Sequence, residues 1–592
     1  MTIHKLYPLA QLKQEVITAL QKIDLPLEVV NQVIISRTPE QIEGDFGFHC
    51  AAFSVSLKKS PNEIAQELAA KLQPEQDGYV QSFLAIGPYL NLQLNFQKFG
   101  QDVVENVLDM GADYGKEKQD QEQKIIIDMS SPNIAKRMSV GHLRSTIIGD
   151  SLAKILAHLG HRITKDNHLG DWGTQFGHLL RALELWGDPK IIEEHPIEEL
   201  QKLYVRINQA ADPKSEIYQG LSQTEAEEKA AKIVNEGRAW FKRLEDGDPN
   251  ARAKWQEIVD WSMLEFQKMY TIFGVEFDWV KGESFYEDML QPTIARLEHC
   301  GIVTKSEGAL VIDMEDQGLR TVIIKKSDGA TLYLTRDIAT ALYRSDQKFD
   351  AMIYVVGEDQ KFYFEQLFGV LKEMGLKIAE KSKHVYFGLI RLTDGKMSTR
   401  KGRVIFLEDL VNEALERTKK LVENRTQVTD AREKERLVKQ IAIGALKWND
   451  LMADPKRTII FDWDKILTME GNSAPYVQYA QVRAASMLKG IDPLQLQKAI
   501  ILAKQESECK LISLLALFPE AILSAAEEYD PSKIAIYVYD LAKTFSTFYH
   551  DLPILKETNS QIQQSRLAIT AAVAETLKVG LGLLGIEAPE KM

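Results

Sequence analysis

Cysteine is scarce in this chain of 592 residues, which has three of them. Cys50, Cys300 and Cys509 lie far apart and make neither a metal-ligand spacing nor a disulfide framework, so they read as reduced, mostly buried thiols. Long apolar runs are missing as well. No stretch of about 18 uncharged apolar residues occurs, and the opening MTIHKLYPLAQLKQEV has no signal-peptide core. Both absences point to a soluble, cytoplasmic protein without a membrane partner. Positive charge is in deficit too. A net charge of −13 argues against nonspecific nucleic-acid binding, because phosphate contacts require local positive potential. A local patch can still supply it: in KMSTRKGR, Lys396, Arg400, Lys401 and Arg403 are four basic residues among eight, with no acid between them. A charge run of this kind is ordinarily a solvated face.

What the sequence does have is apolar content of 45%, enough for packed cores, in a length that predicts three or four domains of roughly 150 residues each. Residues 124–129 (KIIIDM) form the short apolar run of a strand buried on both faces. A small-residue turn follows, and then a helix in which Leu143, Ile147, Ile148, Leu152, Ile155, Leu156 and Leu159 recur at helical spacing up to a C-cap at Gly160. Gly141 permits close backbone approach, and a helix N-terminus favours phosphate. A second strand-like run, residues 162–167, completes a strand–helix–strand unit whose crossover should be right-handed, with ligands at the carboxyl ends of two parallel strands.

The string SSPNIAKRMSVGHLRSTIIGD, residues 130–150, resembles the ATP-binding signature of class I aminoacyl-tRNA synthetases, and specifically that of arginyl-tRNA synthetases. The family's His-Ile-Gly-His stands here as Ser139-Val140-Gly141-His142, preceded by Pro132, Asn133, Ile134, Ala135, Lys136, Arg137 and Met138. Ser139 departs from the usual histidine and should weaken ATP contacts without abolishing them. The second class signature, Lys-Met-Ser-Lys-Ser, resembles Lys396-Met397-Ser398-Thr399-Arg400, set after a strand and a turn at Asp394-Gly395. Mobile cations there would stabilise the charge that builds when a carboxylate attacks the α-phosphate of ATP. The second lysine of that signature is absent. In arginyl enzymes a lysine before the first motif takes its place, and Lys136 matches it.

Two further segments carry the resemblance. HLGDWGTQFGHLL, residues 168–180, is similar to a segment at the edge of the family's active site. In LYLTRDIATALYR, a hairpin turn at Asp328-Gly329 leads into a strand and then a helix beginning near Arg336. A planar guanidinium is read best by a buried carboxylate that bonds it bidentately. Asp337 resembles the family's guanidinium-binding carboxylate and Tyr333 its tyrosine partner, although an acid in a first helical turn has an ordinary explanation in the helix dipole. Asn133 resembles the residue contacting the substrate's amino and carboxylate groups, and Gln360 in the run YVVGEDQKFYFEQL is a further candidate for that contact.

The resemblance implies an α/β fold: a Rossmann-type parallel-sheet class I synthetase catalytic domain, an N-terminal α/β added domain, and a C-terminal all-helical anticodon-binding bundle. Residues 1–112 match the added tRNA-contacting domain, with a helix near residues 9–22, a turn in GDFGF, and a helix capped by Ser60 and Glu63. Residues 113–395 match the catalytic domain, interrupted by a polar helical insertion at about 189–260. Residues 396–454 hold the basic loop and a connection, and from about residue 455 to 592 the pattern is continuously helical. There Tyr537, Tyr539, Phe545, Phe548 and Tyr549 are either core residues or base-stacking groups.

The activity so implied is ATP-dependent formation of arginyl-adenylate and transfer of arginine to tRNA(Arg). ATP would meet Ser139, Gly141, His142, Lys396, Met397 and Arg400, with Lys136, His142, Lys396 and Ser398 in catalytic roles. Mg²⁺ would enter with ATP and no residue would serve as a dedicated metal ligand, in a protein expected to be a monomer. Two other readings remain compatible with the residues: a synthetase paralogue that no longer charges tRNA, and a different adenylating ligase on the same fold.

Overall fold

The strand Lys124–Asp128 is central because its side chains leave it no solvent face: Ile125, Ile126 and Ile127 are all buried. A computed structural model describes residues 7–23, 25–39, 41–117, 122–392, 406–425 and 428–592. Around this strand it places a four-stranded parallel sheet in the order Lys383–Phe387, Ala351–Gly357, Lys124–Asp128, Arg162–Asp166. In register, Asp128 lies between Tyr354 and Asp166. The order therefore reverses on either side of the first strand, which puts a switch-point crevice at its carboxyl end. The helix Val140–His158 buries Leu143, Ile147, Ile148, Leu152, Ile155 and Leu156, and Gly160 follows at φ +88° as the left-handed stop.

After the helix Thr174–Trp186 come the insertion helices Pro189–Glu194, Pro196–Ala211 and Gln223–Glu245. The next helix, Pro249–Phe273, outruns the expected boundary at 260 and returns to the sheet. Three expected elements differ. The run LYLTR is no strand: it makes one bridge, Lys325 with Thr331, and the helix Tyr333–Asp346 begins three residues earlier than expected. In GDFGF only Gly44, at φ +108°, turns, while Phe46–His49 is a strand whose apolar residues are buried. The KHVYFGLIRL run is two strands that part at Gly388: Lys383–Phe387 joins the main sheet, and Ile390–Leu392 pairs in parallel with Ile459–Phe461. That last strand also breaks the helical continuity expected beyond residue 454.

Arg144 joins these parts. Fully buried, it bonds Asp450 at 3.0 Å and donates to the carbonyls of Gly388, Pro455 and Arg457. It thereby ties the site helix to the helix Ala431–Leu451 and to both strands of the small parallel pair. Burial pushes Asp450 up to about 6 despite this partner.

The helices Ala474–Met487, Glu506–Glu528, Ser532–Asp551 and Ser560–Leu583 form the C-terminal bundle. Glu506–Glu528 is long and apolar enough to cross a membrane by composition, but its apolar residues pack in the bundle core. Tyr537, Phe545 and Phe548 are core residues, Tyr539 is half-buried, and Tyr549 is exposed beside Arg483, which also stacks on Tyr479. The N-terminal unit is an antiparallel four-stranded sheet flanked by Pro8–Gln21 and Pro61–Lys71, the latter carrying the expected Ser60/Glu63 capping box. It docks on the bundle: Tyr114 donates to the Leu515 carbonyl at 2.8 Å and Gln101 to that of Ala499 at 3.1 Å. Cys50 is buried and Cys509 half-buried, but Cys300 is exposed, contrary to the burial expected.

Candidate active site

Beyond Asp128 the chain turns through three non-glycine residues in the left-handed region, Ser130 (φ 70°), Ser131 (φ 48°) and Ala135 (φ 61°). Each such residue costs on the order of 1–3 kcal/mol and persists only where its surroundings over-determine it. Here they do. The Ser130 amide donates to Ser145 Oγ at 2.8 Å and its hydroxyl bonds Tyr270 at 2.9 Å. The Ser131 amide reaches Asn167 at 3.2 Å, and the Ala135 amide reaches Ser262 Oγ at 2.8 Å. Tyr270 and Ser262 both belong to the helix Pro249–Phe273, so the nominal insertion ends as part of the scaffold of the turn.

Asn133 is exposed at the apex and bridges Gly170, with its Oδ1 so close that a Cβ on Gly170 would lie 2.2 Å away. Gly170→Ala should displace the Asn133 carboxamide and raise about tenfold the KM of a substrate held there while leaving the melting temperature nearly unchanged. Equal KM values for the two proteins would show that Asn133 contacts no substrate.

At the helix entry, the Ser139 amide donates to His142 Nδ1 at 2.9 Å, and the Ser139 hydroxyl sits 3.0 Å from the same nitrogen. With Nδ1 accepting, the proton of a neutral ring is on Nε2, available to a phosphate. Burial lowers the pKa of His142 and the charge of Lys136 lowers it further, which favours the neutral ring whose Nε2–H is free to donate. Ser139, expected as a loss, thus orients His142. Lys136 and Gly141 are exposed beside it, with the Lys136 ammonium 5.1 Å from the Tyr204 ring of the insertion. Lys396, Met397, Ser398 and Arg400 lie outside the described residues. Where the description resumes, Phe406 bridges Ser139, the Leu407 amide donates to the Met138 carbonyl at 2.8 Å, and Arg137 stacks on Phe406 and pairs with Asp409 at 2.7 Å.

The other half of the site is acidic. Asp337 accepts from the hydroxyl of Tyr363, not from Tyr333, which stands one turn earlier on the same helix and is 63% exposed. With the helix starting at Tyr333, Asp337 is beyond the first turn, and the dipole explanation for it lapses. Burial pushes Asp337 up to about 6, with Asp128 adding to the rise and Tyr363, Arg344 and Arg336 opposing it. Glu283 rises to about 7 for the same reason, with Asp337, Asp171 and Glu287 repelling it and Arg336 opposing. Arg336 divides itself between Glu283 at 3.3 Å and Glu287 at 3.2 Å. Two desolvated carboxylates with raised pKa values form a site that a cationic ligand would stabilise.

Beneath it, the buried Arg344 bonds Asp128 and Asp166, each at 2.7 Å, and so pins two strand ends to the Asp337 helix. Asp128 also accepts from the Ser131 hydroxyl at 2.8 Å, linking the acidic half to the turn that leads into the helix Val140–His158. Asp128, Asp166 and His168 have metal-ligand spacing, but both carboxylates are held by Arg344, and burial lowers His168 to about 4. Gln360 is exposed at the end of the turn Glu358–Gln360. Glu283, Tyr363 and the Arg344 cluster escaped the sequence reading. Tyr363 falls within the conspicuous run KFYFEQL, whereas Glu283 in GESFYED is marked by no motif.

Comparison with known proteins covers the whole chain. Residues 103–463 match the class I tRNA synthetase (R) catalytic domain, 477–592 the DALR anticodon binding domain, and 10–94 the arginyl tRNA synthetase N terminal domain. An arginine–tRNA ligase of Halothermothrix orenii is 40% identical over 96% of this chain and 97% of its own length. Arginine–tRNA ligase 2 of Bacillus anthracis is 40% identical over 95% of this chain and 97% of its own. The structure of Thermus thermophilus arginyl-tRNA synthetase superposes with a TM-score of 0.78 at 26% identity, covering 98% of this chain and 99% of that one.

Proposed function

The chain belongs to the class I arginyl-tRNA synthetases, and from that premise we propose how its residues divide the work of an ATP-dependent arginine–tRNA ligase. In the first step the carboxylate of L-arginine attacks the α-phosphate of ATP, a P–O bond forms, and pyrophosphate leaves. In the second, a ribose hydroxyl at the 3′ end of tRNA(Arg) attacks the arginyl carbonyl and AMP leaves. No covalent protein intermediate is needed, and catalysis is positioning with charge stabilisation.

Asp337 and Glu283, with Tyr333, take the guanidinium; Asn133 and Gln360 take the amino-acid end. The helix N-terminus at Gly141 and the Nε2–H of His142 face the phosphates. Lys136, Lys396, Ser398 and Arg400 supply positive charge and donors as the pentavalent phosphorus forms, and Met397 lines the same segment. Mg²⁺, when bound with ATP, neutralises phosphate charge. With Asp128 and Asp166 committed to Arg344, it would ride on the nucleotide and not on a protein cage. Residues 1–112 would contact the tRNA corner, 189–260 would border the acceptor stem, and 455–592 would read the anticodon. The protein would act in the cytoplasm as a monomer.

The observation that carries this reading is the pair of desolvated acids, Asp337 held by Tyr363 and Glu283 paired with Arg336. It is tested by charging total tRNA with labelled arginine against lysine: arginine-specific charging supports it, and charging with lysine or with neither amino acid rejects it. Lys136→Ala should lower the adenylation rate roughly 100-fold with little change in arginine KM; an unaltered rate would move that role to Arg400 or Lys401.

A further inference from the structure

The Asp337 carboxylate is aimed by another side chain. Tyr363, third residue of the helix Lys361–Glu373, donates its hydroxyl to Asp337 Oδ2, and its ring is braced edge-on by Phe364 at 5.7 Å. Burial and the Asp337 charge raise the pKa of Tyr363 far above the ordinary phenol range, so at working pH the oxygen keeps its proton and can only donate to the carboxylate. The other charged groups around Asp337 cannot do this. Asp128 and Glu283 repel it, and the ion pairs of the two nearby arginines go elsewhere, Arg344 to Asp128 and Asp166 and Arg336 to Glu283 and Glu287. The phenol of Tyr354, buried against Phe364, hydrogen-bonds Met352 instead.

We propose that Tyr363 is a positioning residue for amino-acid selection: by holding one carboxylate oxygen of Asp337 it fixes the plane in which the group meets a guanidinium, and so favours the planar fork of arginine over the ammonium of lysine. The inference rests on Asp337 being the guanidinium partner. A carboxylate free to rotate would lose the bidentate geometry that separates a guanidinium from a point charge. The same hydrogen bond holds down the Asp337 pKa against burial.

The test is the Tyr363→Phe variant of the full-length protein, with adenylation measured against arginine, lysine and ATP across pH 5 to 9. The expected result is a tenfold to hundredfold loss in kcat/KM for arginine, carried by KM, with the ATP KM unchanged and the preference for arginine over lysine reduced. The acid limb of kcat/KM for arginine, which reports the free enzyme, should move up by about one pH unit as Asp337 loses the bond favouring its charged form. An unmoved acid limb with unchanged arginine KM would overturn the proposal. Asp337→Asn separates the two layers of argument. If it raises the arginine KM while Tyr363→Phe does not, the tyrosine's role fails and the Asp337 reading stands; if Asp337→Asn leaves that KM unchanged, both fail.

Discussion

Asp337→Ala is expected to raise the arginine KM roughly a thousandfold, because truncating one member of a desolvated charge pair costs about 3–5 kcal/mol at 1.4 kcal/mol per tenfold. The ATP KM should stay within about twofold, since the proposed nucleotide site is the helix entry at Ser139–His142 and not the acidic half. Glu283 keeps the loss finite, because it leaves the guanidinium a second carboxylate. Equal rises in the two KM values would remove Asp337 from the arginine pocket.

Two pH consequences follow from the same residue. In the proposed reading the site takes arginine with an ionised Asp337, and burial sets that group at about 6, so kcat/KM for arginine should fall as the pH drops through 6. Stability runs the other way. A carboxyl whose folded pKa lies above its unfolded value near 3.9 destabilises the folded protein once ionised; the penalty is absent below about pH 4 and fully developed above about 6. Asp337→Asn should therefore melt later than the parent at pH 7 while using arginine far worse, the signature of a site kept at the expense of stability.

The second large effect is structural. Asp450→Ala would leave the Arg144 guanidinium, now sealed from water, with carbonyl partners alone. Removing one partner of a buried ion pair costs about 3–5 kcal/mol, which chemical denaturation of the full protein should register as an earlier transition. Adenylation should fall with it even where the protein is still folded, because Arg144 also fixes the carbonyls of Gly388, Pro455 and Arg457. A transition within experimental error of the parent would show that the carbonyl bonds suffice.

Local patterns in the sequence were good guides wherever local physics decides the outcome. The isoleucines of KIIIDM, the helical spacing from Leu143 to Leu159, the stop at Gly160 and the Ser60/Glu63 cap each follow from neighbours a few residues away, and each is found. The misread elements are those decided at a distance. LYLTR has the composition of a strand, but Thr335 donates its hydroxyl to the Ile324 carbonyl and Leu334 is buried, so the segment starts a helix instead. Ile459–Phe461 is a strand because Ile390–Leu392 lies beside it. Site residues divide in the same way. Those proposed from a contiguous motif carry a local signal, whereas Glu283, Tyr363 and Arg344 make their contacts with partners 26 to 216 residues away in the chain.

The helix Val140–His158 bears on how the protein is made. Its first turn faces the site, and its later residues are roofed by the last helix of the bundle: Ser151 donates to the Leu583 carbonyl at 2.9 Å, and Lys447, on the helix beneath, reaches the carbonyls of Phe273 and Gly585. The two ends of the Ser151 bond are 432 residues apart. On the ribosome, at about 5–20 residues per second, the last strand of the catalytic sheet, which ends at Phe387, is synthesised about 10–40 s before Leu583. Through that interval the apolar flank of this helix has only nascent chain or a chaperone to shelter it, and a chain ending before Ser560 would keep the whole parallel sheet while lacking the helix that roofs that flank.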